Sequence, residues 1–167
     1  LKNKIFALER LKKHEQIILC CDKLLEKNQT DSWTLDSKGL ALNELNRHDE
    51  AISNYDASLK INPNNTTALM NKAITLSYLQ RYADAIPIYD KVQSVDNTIK
   101  EAGLAKSDAY TKLGKPDEAF LAAQGLLVPD IAIFKEKAAE KQMRVFDYYC
   151  LNEFLEIEKR EKQHQKT

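Results

Sequence analysis

Apolar residues step along most of this chain by three or four, the spacing that gathers them on one face of a helix. Leu1, Ile5, Leu8 and Leu11 follow it first, and after a polar break at Lys13-His14 so do Ile17, Cys21, Leu24 and Leu25. The pattern then returns at a constant interval of 34 residues. Leu11, Leu45, Leu79 and Leu113 form one row, Leu8, Leu42, Leu76 and Tyr110 a second, and Ile17, Ala51, Ala85 and Ala119 a third. A fixed period of this size means a stacked array of one supersecondary unit.

The rows predict four helix–turn–helix units over residues 1–130: a partial unit at 1–31, then 32–65, 66–99 and 100–130. The inward face of each first helix is read as Leu35, Gly39, Leu42 and Leu45, then Leu69, Ala73, Leu76 and Leu79, then Ser107, Tyr110 and Leu113. Second helices contribute Ala51, Ile52, Tyr55 and Leu59, then Ala85, Ile86, Tyr89 and Val92, then Ala119, Phe120, Ala123, Leu126 and Leu127. Gly39 and Ala51 lack bulk, which lets two helices approach closely. Charge marks the same boundaries. Lys13, Arg47, Arg81 and Lys115 close the first helices, and Glu15, Asp49-Glu50, Asp84 and Asp117-Glu118 open the second ones, as the helix dipole favours.

After Pro129-Asp130 the period fails. Residues 131–163 predict one long helix, or two with a break near Arg144, with Asp130 as N-cap. Val145, Phe146, Tyr149, Cys150, Phe154 and Ile157 make a broad apolar stripe on it. The segment is expected to cap the stack, and the charged end, through residue 167, to fray.

Residues 32–65 resemble the tetratricopeptide repeat. That family's 34-residue unit has a small residue at unit position 8, Ala at 20, an aromatic at 24, a small residue at 27 and Pro at 32. Gly39, Ala51, Tyr55, Ser58 and Pro63 stand there. Unit three keeps Ala73, Ala85 and Tyr89 but has Asn97 for the proline and Pro87 inside its second helix. Unit four keeps Ser107 and Ala119 but has Ala123 for the aromatic. The resemblance implies an all-α fold, a right-handed α–α superhelix, with first-helix residues lining a concave wall that holds peptides or partner proteins.

On that wall the face opposite the core carries an apolar seam, Phe6, Leu40 and Ile74, flanked by Trp33, Met70, Leu104 and Tyr78. Asp36, Glu44, Asn71, Asp108 and Lys112 supply polar points around it. Such a seam suits an amphipathic helix or an extended apolar peptide. Family members that bind a chaperone's C-terminal carboxylate use a clamp of Lys, Asn and Arg. Its positions here read Lys2, Phe6, Ser37, Thr67 and Asn71 in one register and Asp36, Leu40, Asn71, Glu101 and Ala105 in the other. Acids and aliphatics replace the cations, so that clamp is not expected. The seam could instead be covered by the chain's own 131–163 segment, by residues preceding Leu1, or by a second copy.

Composition narrows the function classes. Lys and Arg total 25 and Asp and Glu total 25, so no cationic excess exists to favour nucleic acid or an anionic membrane. No apolar run reaches about 18 residues, and no signal-peptide pattern opens the chain. A start at Leu1, part-way through a first helix, is that of a fragment or a processed chain. Cys20, Cys21 and Cys150 make no disulfide framework and lack zinc spacing; Cys21 reads as a small buried hydrophobe. Free thiols point to a reducing, cytoplasmic setting. His14 and His48 share one unit position at the inter-helix turn, with no nucleophile and orienting acid beside them, and His164 lies in the charged end. No phosphate loop or metal motif occurs, so no cofactor, metal or catalytic residue is assigned. The sequence thus reads as a non-enzymatic adaptor or scaffold that binds a protein or peptide. A chaperone for apolar client segments and the recruiting arm of a larger enzyme are the alternatives.

Overall fold

A computed structural model describes residues 1–164, all of whose regular elements are helical. In chain order they are α1 (Lys2–Arg10), α2 (His14–Leu25), α3 (Ser32–Glu44), α4 (His48–Ile61) and α5 (Thr66–Tyr78). They continue with α6 (Tyr82–Val95), α7 (Lys100–Lys112), α8 (Pro116–Ala123), α9 (Val128–Glu140) and α10 (Val145–His164). Each helix packs on the next, and α3, α5 and α7 also neighbour one another, so the odd helices form one wall and the even helices the other. Of the charged end expected to fray, residues 165–167 lie outside the described residues.

One turn joins the two helices of every pair. The N–H of Lys13, Arg47, Arg81 and Lys115 donates back to the carbonyl of Leu8, Leu42, Leu76 and Tyr110 at 2.9–3.0 Å. The residue before each donor is left-handed: Lys12, Asn46 and Gln80 have φ 52, 60 and 59°, and Gly114 has φ 70°. This is the six-to-one closure that ends helices at a left-handed residue. The four cations expected to finish the first helices are instead the N-caps of the second ones. Arg47 and Arg81 reach forward to Glu50 and Asp84 at 2.7 and 2.8 Å. At these two boundaries the alternation of charge is a side-chain pair three residues apart.

Close approach is built from missing side chains. Ala51 and Ala85 are fully buried, and a Cβ at Gly39 would lie 2.6 Å from Cε1 of Tyr55. The second-helix tyrosines fill the space that results. Tyr89 is buried with its hydroxyl 3.2 Å from Ser77 Oγ, and Tyr55 is buried with its hydroxyl unpartnered among the described residues.

A second 34-residue rhythm crosses the unit boundaries. Asp22, Asp56 and Asp90, on α2, α4 and α6, each take the ammonium of a lysine sixteen residues on, Lys38, Lys72 and Lys106, at the start of the next unit. The first two pairs are partly solvated. The third is not: Lys106 is 0% exposed, 2.6 Å from Asp90, and donates also to the Leu126 carbonyl at 2.6 Å. Asp90 accepts a further bond from the Val128 N–H at 2.9 Å, which fixes the point where α9 begins.

Unit four departs from the expected core. Helix α8 stops at Ala123, Gly125 turns left-handed at φ 86°, and the Leu126 N–H closes on the Leu121 carbonyl. Ala123, read as core, is therefore exposed, and Leu126 and Leu127 lie beyond the helix, half-buried. Leu1 and Leu11 are exposed as well, because α1 has only α2 as a major packing partner.

Residues 128–164 form a further hairpin, the two-helix alternative, with the break at residues 141–144. Its turn repeats the others, with Gln142 left-handed at φ 54° and the Met143 N–H closing on Ala138. Leu127, not Asp130, is the N-cap of α9, with Pro129 in the first turn, where its missing N–H costs least. Left-handed residues 12, 46, 80 and 114 are 34 apart, but 142 follows after 28, and α8 is six residues shorter than α4 or α6. The period fails because a helix lost its last turns.

Phe120, Phe134, Phe146, Tyr148 and Tyr149 interlock α8, α9 and α10 with ring centroids 5.1–5.9 Å apart. The hairpin extends the stack past α8, and Phe146, Leu151, Phe154 and Ile157 on α10 are exposed. No helix among the described residues is long and apolar enough to cross a membrane.

Candidate functional site

The residues singled out in the sequence lie on the odd helices: Phe6 on α1, Trp33, Asp36, Leu40 and Glu44 on α3, Met70, Asn71, Ile74 and Tyr78 on α5, and Leu104, Asp108 and Lys112 on α7. Phe6 is 53% exposed and Leu40 39%, while Ile74 and Met70 are half-buried against the core of the third unit. Tyr78, 68% exposed, stacks over His48 with ring centroids 6.3 Å apart, and His48 Nδ1 sits 2.7 Å from Asn43 Oδ1. Trp33 is less free than expected. It lies 5.3 Å from the Phe6 ring, and Lys2 Nζ sits 4.9 Å over its face while pairing with Asp31 at 2.8 Å. The one cation at a clamp position is thus already engaged.

Leu40 separates two hollows. Toward α5, a cavity of about 370 Å³ is lined by Trp33, Asp36, Ser37, Leu40, Asn65, Thr67 and Asn71, with Ser32 and Asn62 at its edge. Toward α1 and α2, a second of about 280 Å³ is lined by Glu9, Lys12, His14, Ile17, Ser37, Leu40, Ala41 and Glu44. Together they make a furrow whose ridge is Leu40. Leu104 does not join it. Together with Gln93, Gly103, Ala123 and Gly125 it lines a larger hollow of about 890 Å³ left where α8 stops short. Asp108 and Lys112 are exposed farther along α7 and line none of these three hollows.

Asp36, one of the polar points expected around the seam, is buried, at 8% exposed. Asn65, which also caps α5 through the Ala68 N–H, donates to its Oδ2 at 2.6 Å. Oδ1 has no hydrogen-bond partner among the described residues. Burial pushes this carboxyl above the usual range, partly offset by the Ser58 hydroxyl and the Asn65 amide.

No group of three or more His, Cys, Asp and Glu side chains suited to a metal ion occurs among the described residues. Burial, with Asp22 beside it, pushes the Cys21 thiol up to about 12, and Cys20 is buried too, whereas Cys150 is exposed. A thiolate, not a thiol, is the nucleophile. Titration of native protein with a disulfide reagent at pH 8 is therefore expected to show one fast thiol, with two more only on unfolding. Three fast thiols would contradict this packing.

Comparison with known proteins gives the same architecture. A family model described as Psidin, N-terminal TPR repeats region, matches residues 2–82. Comparison with curated proteins finds no match. Among solved structures, MamA 41-end from Desulfovibrio magneticus RS-1 superposes with TM-score 0.67 at 20% identity, covering 94% of this chain and 93% of that one. The Arabidopsis OM64 TPR domain gives TM-score 0.63 at 17% identity over 66% of this chain and 91% of its own. The second TPR domain of human RPAP3, solved with the HSP70 peptide SGPTIEEVD, gives 0.61 at 14% over 65% and 90%.

Proposed function

We propose that this chain, whose fold is that of tetratricopeptide-repeat structures, is a protein–protein interaction module that holds an apolar peptide or amphipathic helix in the furrow of its odd helices. The observation that supports this reading is the exposure of Phe6 and Leu40 on α1 and α3, with hollows on both sides of Leu40. Adjacent exposed apolar side chains of this kind mark interaction surfaces. The C-terminal hairpin packs on α8, which leaves the furrow to an external occupant in this reading. An acidic tail such as the one held by the RPAP3 domain does not suit this furrow, where Lys2 is engaged by Asp31 and Asp36 lines the floor.

Leu40→Asp tests the reading. Ile74→Asp disturbs the same seam, but Ile74 packs partly on the core, so Leu40 is the cleaner probe. Against an array of 15-residue amphipathic peptides rich in Leu and Phe, Leu40→Asp should weaken capture at least about tenfold, roughly the 1.4 kcal/mol of one buried anchor. Helicity and melting temperature should stay close to those of the parent. Capture that survives both substitutions would show that the furrow is not the site.

A further inference from the structure

We propose that the cavity between Trp33 and Asn71 receives a basic side chain, Lys or Arg, carried by the apolar peptide that the furrow binds. The inference deepens the preceding reading and rests on it. Its basis is Asp36. Of the side chains that line this cavity of about 370 Å³, Asp36 alone is charged. It is nine-tenths buried, yet only one of its carboxylate oxygens is engaged, by the Asn65 amide at 2.6 Å. The other has no partner among the described residues.

A carboxylate withdrawn from water and half satisfied is costly, and a charge-assisted donor is the group that offsets the cost. Neighbouring cations do not supply it. Lys2 is held by Asp31 at 2.8 Å, Lys38 by Asp22 at 2.6 Å, and Lys72 is paired with Asp56. The remaining lining groups extend the match. Asn71 offers an amide oxygen to another N–H of a guanidinium or ammonium, and the half-buried Trp33 and the Leu40 ridge can take its aliphatic stem. An acidic residue at the same place would meet Asp36 and be repelled, so the cavity chooses one sign of charge.

The test is a peptide series on the parent protein: one apolar 15-residue frame with Arg, Lys, norleucine or Glu at its centre, measured by fluorescence anisotropy. Arg and Lys peptides should bind at least tenfold more tightly than the norleucine peptide, and the Glu peptide should bind most weakly. Asp36→Asn keeps the size and the Asn65 bond but removes the charge. It should erase the preference, so that on the variant the Arg and Lys peptides bind within about twofold of the norleucine peptide, and it should not lower the melting temperature. Equal binding of all four peptides, still sensitive to Leu40→Asp, overturns this inference and leaves the furrow intact, with the cavity holding water only. Binding of none of them, or binding indifferent to Leu40→Asp, overturns both readings.

Discussion

Asp90→Ala is expected to lower the unfolding free energy by about 3–5 kcal/mol, because it strands a fully buried ammonium. Lys106 is 0% exposed, and without Asp90 only the Leu126 carbonyl remains as an acceptor. The same change also frees the Val128 N–H, so the start of α9 loses its anchor. Asp56→Ala removes the equivalent acid one unit earlier, where Asp56 is 44% exposed, and should cost about 1 kcal/mol or less. Urea denaturation of the two variants measures the contrast. Replacing both members, Asp90→Ala with Lys106→Met, should recover much of the loss, since no charge is then left buried. Equal small losses at Asp90 and Asp56 would contradict the burial of this pair.

Tyr55→Ala should cost about 3–5 kcal/mol, the range for emptying a large aromatic site. The ring packs against Gly39, which has no side chain to close the gap, and the surrounding Ala51 is equally small. Tyr55→Phe, by contrast, should leave stability unchanged or raised, because the hydroxyl it deletes is buried without a partner. At the matching position Tyr89→Phe should cost about 1 kcal/mol, since that hydroxyl bonds Ser77. Unit four carries the small residue naturally. Ala123 stands where Tyr55 and Tyr89 stand, and α8 ends there.

Much of this architecture was legible because it repeats. Leucine rows set the helix faces, and the small residues Gly39, Ala51 and Ala85 set where helices cross. The Asp–Lys ladder is equally visible, as Asp22, Asp56 and Asp90 with Lys38, Lys72 and Lys106, but charged residues on helices are ordinarily solvated and signal no pairing between units. The end of α8 was missed for a local reason. Leu126 and Leu127 look like a continued core face, and only Gly125, with Pro129 just beyond, signals the stop.

Individual groove residues were harder to place. Phe6, Leu40 and Tyr78 are exposed on the odd helices as the periodicity implied. Asp36 is buried because Asn65, at the cap of the following helix, folds over it, a contact between units 29 residues apart that no helical period encodes. Leu104 was assigned to the same seam, yet lines a separate hollow created by the short α8.

The most direct test of the furrow is a titration of isotope-labelled protein with the tightest peptide of the basic series, followed by backbone amide shifts. The expected result is a contiguous set of shifts at Phe6, Leu40, Asn71 and Ile74, with the outer helices α4 and α6 little changed. Shifts confined to α9 and α10, around Phe146 and Phe154, would contradict the account and move the binding surface to the end of the stack.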